Sequence, residues 1–180
     1  MYELLGASPA DLLLPRNFLI VEGRSEFEFA RRIILRFYSS MPAVQIVYSE
    51  GGVDQQRRSM DAINKVFVPL NGTPVYKDRV VILCDQPTEV ARRDFEVFRN
   101  AYRSLETNGQ LHVSSVQSLE EYYPHPWKNT ADQVAQLRRQ KGIKTQIAIT
   151  VGQAISQEAF EREMPVFKAA LDNCWRLAHQ

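Results

Sequence analysis

Short apolar runs alternate with helix-patterned segments along the chain, and this alternation restricts the fold more than any other feature. Strand patterns occur at 18–21 (FLIV), 44–48 (VQIVY), 79–85 (RVVILCD) and 111–116 (LHVSSV). Apolar residues at helical spacing occupy the intervening segments 25–38, 53–67 and 88–105. A β-α-β-α-β-α-β order predicts an α/β fold, with a mostly parallel sheet, right-handed crossovers and helices on both faces.

The last part of the chain has a different pattern, with no further convincing strand after Trp127. Ser156 is a candidate N-cap, and Pro165 is expected to begin or kink a helix whose apolar residues form one long face. We therefore predict a lead-in segment (1–16), an α/β domain (17–127) and a C-terminal helical appendage (128–180). The apolar face at 165–178 could bury against its own sheet or against another subunit, which leaves a homo-oligomer open.

Composition excludes some classes of function and location. A net charge of +1 on 180 residues argues against nucleic-acid binding through a large excess of basic residues, although a local patch remains compatible with it. No apolar segment approaches the roughly 18 residues of a membrane helix, and the N-terminus lacks a signal-peptide pattern. Cys84 and Cys174 have no metal-ligand spacing and fit buried structural thiols. The expected location is the cytoplasm, away from membranes.

Acidic residues follow three of the predicted strands. Glu22 and Glu26 come after the first strand, Asp85 after the third, and Glu120 with Glu121 after the fourth. Because the carboxyl ends of parallel strands share one edge of a sheet, we expect these acids to meet there. Clustered carboxylates repel one another unless a cation is bound, and Mg²⁺ prefers such oxygen ligands. Taken singly, each acid is more often a turn or helix-capping residue than a metal ligand, but Glu22, Asp85 and Glu120 together favour a metal site.

The corner after the first strand carries two further signals. Gly23 is expected to permit a tight turn of the backbone. Ser25, with Glu28 three residues later, matches a capping box at the start of a helix.

Three motifs resemble a known family. VEGRSE (21–26) resembles the first motif of Toprim domains, the metal-binding fold shared by topoisomerases, bacterial primases and several nucleases. The lead-in LLGASPADLLLPRNFLIVEGRSEFEF resembles the junction between the ATPase and Toprim nuclease domains of overcoming-lysogenization-defect (OLD) proteins. SLEEYYP (118–124) and GIKTQIA (142–148) resemble that family's later acidic motif and its segment with a functional lysine. The similarity spans about residues 4–151.

The resemblance implies a role for each matching residue. Glu22 would be a metal ligand or general acid/base, and Lys144 would stabilise charge on the phosphate or leaving oxygen. The implied metal ligands are Glu22, Glu26, Asp85 and Glu120, with Glu89 and Glu121 as additional or supporting candidates. Pro87 departs from the family pattern, because it stands where the second aspartate of a paired motif is expected and has no side-chain oxygen. One metal position is therefore weakened or lost unless Glu89 contributes.

The function expected from this resemblance is a DNA endonuclease that uses one or two Mg²⁺ or Mn²⁺ ions. Two ions roughly 3.5–4 Å apart can clamp the attacking and leaving oxygens of a phosphodiester. Arg138, Arg139 and Lys141 are the candidate DNA contacts. The chain has no phosphate-binding GxxxxGK[ST] loop, so the expected partner is an ATPase domain or subunit of an OLD-type assembly. The resemblance implies that such an assembly acts in antiviral defence.

Alternatives remain open at this stage. A catalytically degenerate Toprim-like regulatory or interaction module is consistent with Pro87, and a receiver-like domain phosphorylated on Asp85 ranks third. Without the resemblance, Lys144 reads as a solvated lysine. The aromatic residues Tyr122, Tyr123 and Trp127 could stack on unpaired bases or anchor the junction with the C-terminal helices, and His125 is most simply a loop residue.

Overall fold

The protein is described here by a computed structural model covering residues 17–40, 44–48, 55–73, 76, 78–140 and 142–179. The predicted lead-in segment (1–16) and Lys141 lie outside the described residues.

Four parallel strands form one sheet. They are β1 (Asn17–Val21), β2 (Val44–Tyr48), β3 (Val80–Cys84) and β4 (Leu111–Val113), in the order β2-β1-β3-β4. In the centre of the sheet, Leu19 of β1 pairs with Ile46 of β2 and with Val81 of β3. The predicted parallel α/β architecture is confirmed. The fourth strand is shorter than predicted, since β4 ends at Val113; beyond it, the Ser114 amide still donates to the Cys84 carbonyl and the Val116 carbonyl accepts from the Gln86 amide.

Helices follow each strand and then occupy the rest of the described chain. They are α1 (Arg24–Phe37), α2 (Gln55–Asn71), α3 (Arg92–Ala101), α4 (Arg103–Thr107), α5 (Leu119–Tyr122), α6 (Ala131–Leu137), α7 (Ile143–Ala154), α8 (Gln157–Glu163) and α9 (Pro165–Ala178). The prediction of one helix over 88–105 is wrong, since α3 and α4 are separated at Tyr102. Tyr102 has non-helical backbone angles, and its ring packs against Phe67 and Phe98. As predicted, Ser156 caps α8 and Pro165 begins α9.

The two faces of the sheet are covered by different helices. Leu19 and Val21 belong to a core shared with α1 and the C-terminal helices, whereas Phe18 and Ile20 pack with α2 and α3. This is the alternation that a pleated strand imposes when both faces are buried. The C-terminal helices therefore complete the fold by packing on the sheet, as predicted; a division into domains at 127/128 remains a prediction. No helix of the described chain has the length and apolarity needed to cross a membrane.

The interface between α1 and α7 depends on close approach at Gly152. A Cβ atom at this position would lie 3.0 Å from Arg32 Cβ and 3.4 Å from the Phe29 ring. Arg36 also donates a hydrogen bond of 2.8 Å to the Gly152 carbonyl. The two helices can therefore pack at this distance only with a very small residue.

Gly152→Val is expected to lower the free energy of unfolding by roughly 1–3 kcal/mol, the usual cost of overpacking a core contact. Urea unfolding would measure the change. The control Ala154→Val lies on the exposed side of the same helix, where only helix propensity, well under about 1 kcal/mol, is affected. Equal effects of the two variants would contradict the packing explanation.

Candidate functional site

The site begins at the corner between β1 and α1. Glu22 follows β1 directly, and α1 starts at Arg24. Gly23 between them has φ −150° and ψ 179°, an extended conformation that any residue can adopt. The chain bends here as expected, but the expectation that the bend needs the conformational freedom of glycine is wrong. Glycine provides space instead, because a Cβ atom there would lie 2.9 Å from Oε2 of Glu26.

The predicted capping box is also absent from this corner. Gly23 occupies the N-cap position and provides no side-chain cap. Ser25 lies inside the first turn of α1, and its hydroxyl donates to Oε2 of Glu26 at 3.2 Å. Ser25 thus supports the buried carboxylate of Glu26, which is only 7% exposed, instead of the helix end.

Glu22 and Asp85 meet at the carboxyl ends of two neighbouring strands. Asp85 follows β3, which pairs with β1 up to Val21 and Leu83. The backbone N–H of Asp85 donates a 3.0 Å hydrogen bond to Oε1 of Glu22. The parallel register alone is enough to bring these two acids together.

Glu120 and Lys144 form the other side of the site. Glu120 lies on the short helix α5 and is fully buried. Nζ of Lys144, in the first turn of α7, lies 3.0 Å from Oε2 of Glu120. The hydroxyl of Ser118 donates to the same oxygen. The reading of Lys144 as a solvated lysine is wrong, since its charge is paired with a buried acid and its side chain is 27% exposed.

Electrostatic coupling shows that the acids form one cluster. Burial, with the charge of Glu26 adding to it, raises the pKa of Glu22 to about 7. Burial also raises the pKa of Glu26, where Glu120 adds and Lys144 opposes. The pKa of Asp85 is raised well above its usual range by burial and by Glu22 and Glu26. The ionised forms of Glu22, Glu26 and Asp85 are thus destabilised by desolvation and by neighbouring charges, among them that of Glu120. We call these four acids the carboxylate cluster.

Lys144 is the cation of this cluster. Burial lowers the pKa of its ammonium group, but Glu120, Glu26 and Asp85 raise it, and the net shift is upward. The charge of Lys144 therefore acts on several acids at once. The single charge of this ammonium does not balance four ionised acids.

Two buried polar atoms beside the cluster have no hydrogen-bond partner among the described residues. They are Oε1 of Glu120 and the hydroxyl oxygen of Tyr123. Burial raises the pKa of Tyr123, and the charges of Glu120, Glu26 and Asp85 raise it further. An unpaired buried hydroxyl costs free energy unless a ligand or water satisfies it. From the sequence, Tyr123 was expected only to stack or pack as an aromatic residue. Its position three residues after Glu120 in SLEEYYP is the signal that could have placed it at the site.

The aromatic residues of the same segment pack at the junction with the C-terminal helices. The Tyr123 ring lies 5.3 Å from that of Phe29, and the Tyr122 hydroxyl accepts a 2.8 Å hydrogen bond from the Val166 amide. Trp127 is partly buried against the same core, whereas His125 is exposed. These aromatic residues thus anchor the junction with the C-terminal helices, which was the alternative to stacking on unpaired bases.

The remaining candidates lie outside the carboxylate cluster. Glu89 is exposed in the turn before α3, and Glu121 is half-buried on α5. Neither of these two acids is among the groups that shift the pKa values of Glu22, Glu26 or Asp85. Arg138 and Arg139 are exposed just after α6, on the segment that leads to Lys144.

The cluster matches a divalent cation in chemistry but is not arranged as a ligand set. Within the described ranges, no three His, Cys, Asp or Glu side chains are positioned to hold one metal ion. The donors available are carboxylate oxygens, which suit Mg²⁺ and Mn²⁺, and Oε1 of Glu120 has no hydrogen-bond partner among the described residues. The donor chemistry of these residues therefore suits such an ion, but their arrangement in this structure does not form its ligand set, and Lys144 contacts Oε2 of Glu120.

Comparisons with models of protein families, with curated proteins and with solved structures found no match. The resemblance to OLD-family Toprim domains consequently depends on the motifs VEGRSE, SLEEYYP and GIKTQIA, and the family remains a prediction.

Proposed function

We propose that the protein is a metal-dependent DNA endonuclease of OLD-family Toprim type. The observation that carries this proposal is the gathering of four acids with Lys144, of which Glu26 and Glu120 are buried and Glu22 and Asp85 are half-buried. These acids come from three separate strand ends, and holding them together disfavours folding unless a cation is bound. A cation-dependent function gives this arrangement a use.

The chain's own residues have distinct roles in the proposal. Glu26, Asp85 and Glu120 would hold Mg²⁺ or Mn²⁺, which when bound supplies Lewis-acid stabilisation of a phosphodiester and activates water. Glu22, with a pKa of about 7, can accept or release a proton near neutral pH. Lys144 is placed to offset negative charge that develops on the phosphate.

DNA would be held partly by exposed cations near the cluster. Arg24 lies between Glu22 and Glu26 in sequence and is exposed. Lys128 is exposed beside Asn129, whose amide donates to the Glu120 carbonyl at 2.9 Å. Arg138 and Arg139, exposed before α7, extend this set. Since the net charge is only +1, we propose that an ATPase domain or subunit adds further grip on DNA, in an assembly for antiviral defence.

A second candidate function is a catalytically degenerate module that regulates or binds partners. Pro87 favours it, because proline offers no ligand where the family pattern has an acid, and the nearby Glu89 is exposed. Such a module would assemble with an ATPase in the same way with and without the carboxylate cluster.

Nicking of supercoiled plasmid DNA tests the first proposal. Wild-type protein is expected to nick DNA with Mn²⁺ or Mg²⁺ and to stop when EDTA is added, whereas Glu22→Gln purified in the same way is expected to be inactive. Equal activity in both proteins would assign the signal to a contaminating nuclease. No cleavage by wild type, with intact binding to an ATPase, would favour the degenerate module.

A further inference from the structure

The contact between Lys144 and Glu120 has the features of an occupied cation site. Nζ of Lys144 is 3.0 Å from Oε2 of a fully buried carboxylate. The same ammonium acts on Glu22, Glu26 and Asp85, which reach the site from other strand ends. The ammonium of Lys144 therefore lies where a positive charge stabilises the ionised forms of several acids.

The lysine satisfies this demand only in part. It leaves Oε1 of Glu120 and the hydroxyl of Tyr123 buried and unpaired among the described residues. Buried polar atoms normally have a hydrogen-bond partner, so these two atoms indicate a ligand that makes more contacts than one ammonium does. A hydrated divalent cation brings a second charge and several waters.

Lys144 can leave the cluster without a change of fold. It lies in the first turn of α7 and its side chain is 27% exposed, so the ammonium group can move from Glu120 towards solvent. The four-carbon stem of lysine allows its charge to move by rotation of single bonds. Departure of the ammonium would expose Oε2 of Glu120 as a ligand.

We propose that Lys144 is a tethered cation that occupies the carboxylate cluster in the metal-free protein and competes with the divalent cation for it. This inference rests on the proposed function, because it concerns the regulation of the same site. Binding of the divalent cation displaces the ammonium from Glu120 and makes it available to a substrate phosphate. Metal binding and availability of the lysine are thereby coupled.

Isothermal titration of the DNA-free protein with Mn²⁺ tests the competition. Lys144→Met, which removes the charge, is expected to bind Mn²⁺ about tenfold more tightly than wild type, the scale of a lost charge contact. Lys144→Gln, which keeps a hydrogen-bond donor, should also bind Mn²⁺ more tightly than wild type. This second variant keeps the test valid if Lys144→Met does not fold. Lys144→Arg should stay within about twofold of wild type, because it retains the competing charge.

A matched control is Lys168→Met, since Lys168 pairs with Asp172 on α9 and does not act on the cluster. Its Mn²⁺ affinity should equal that of wild type. Unchanged or weaker binding by both Lys144→Met and Lys144→Gln would overturn the competition.

Plasmid nicking separates this inference from the proposed function. Cation-dependent nicking by wild type, with no gain in Mn²⁺ affinity in the Lys144 variants, overturns only the inference. Mn²⁺ binding by Lys144→Met alone supports the inference even if wild type neither binds Mn²⁺ nor cleaves DNA. Absence of binding in every protein overturns both.

Discussion

Replacing Asp85 by asparagine is expected to abolish DNA cleavage and, at the same time, to stabilise the metal-free protein. Burial and the neighbours Glu22 and Glu26 disfavour the ionised form of Asp85 and so raise its pKa. Asparagine keeps nearly the same shape without the charge. The free energy of unfolding should rise by roughly 0.5–2 kcal/mol, the scale of relief when a strained functional group is neutralised.

The same change removes a charged oxygen ligand from the cluster. The nicking rate should fall by about 100-fold or more, since electrostatic stabilisation of the reacting phosphate depends on the bound cation. Opposite effects on stability and activity distinguish a functional acid from one that holds the fold together. If Asp85 instead held the fold together, neutralising it would lower the free energy of unfolding of the protein.

Urea unfolding in EDTA and plasmid nicking in Mn²⁺ would measure the two effects. The control Asp94→Asn changes an exposed acid in the first turn of α3. It should lower stability by no more than about 0.5 kcal/mol, through the helix dipole, and leave nicking unchanged. A destabilised Asp85→Asn protein that still nicks DNA would contradict the assignment of Asp85 to a metal site.

The parallel sheet and the meeting of Glu22 with Asp85 could be predicted because both follow from local patterns. Continuous apolar runs identify strands buried on both faces, and a parallel sheet places all their carboxyl ends at one edge. The hydrogen bond between Asp85 N–H and Glu22 is a direct result of that geometry. No long-range side-chain information was needed.

The role of Gly23 and the pairing of Lys144 could not be predicted from local patterns. Gly23 has ordinary extended angles, so its need for a small side chain arises only from the position of the Glu26 carboxylate. Lys144 and Glu120 are brought together by the packing of α7, which no periodicity in the sequence specifies. The break at Tyr102 likewise depends on tertiary contacts with Phe67 and Phe98. These features depend on packing between elements that are distant in the chain.

The metal-free protein is expected to become less stable as the pH rises from about 4.5 to about 7, the interval over which Glu22 ionises in the unfolded and then the folded state. The pKa of Glu22 is raised on folding, so the folded state binds its proton more tightly than the unfolded state. Its contribution to stability is complete below the unfolded pKa and is lost as the pH passes the folded pKa. Because Glu22 keeps some exposure, this loss should be roughly 2 kcal/mol, somewhat below the full value of the shift.

Asp85 and Glu26 act in the same direction, since burial raises the pKa of both groups. Urea unfolding in EDTA at several pH values between about 5 and 8.5 would measure how the free energy of unfolding changes with pH, where one unit of pKa shift corresponds to roughly 1.4 kcal/mol. Glu22→Gln should flatten it, whereas Glu158→Gln, a change of an exposed acid on α8, should not. Mn²⁺ should also flatten the slope, because a bound cation stabilises the ionised acids. If stability instead increased with pH over this interval, the acids would be held by favourable ion pairs, and the demand for a cation that underlies the proposed nuclease would be absent.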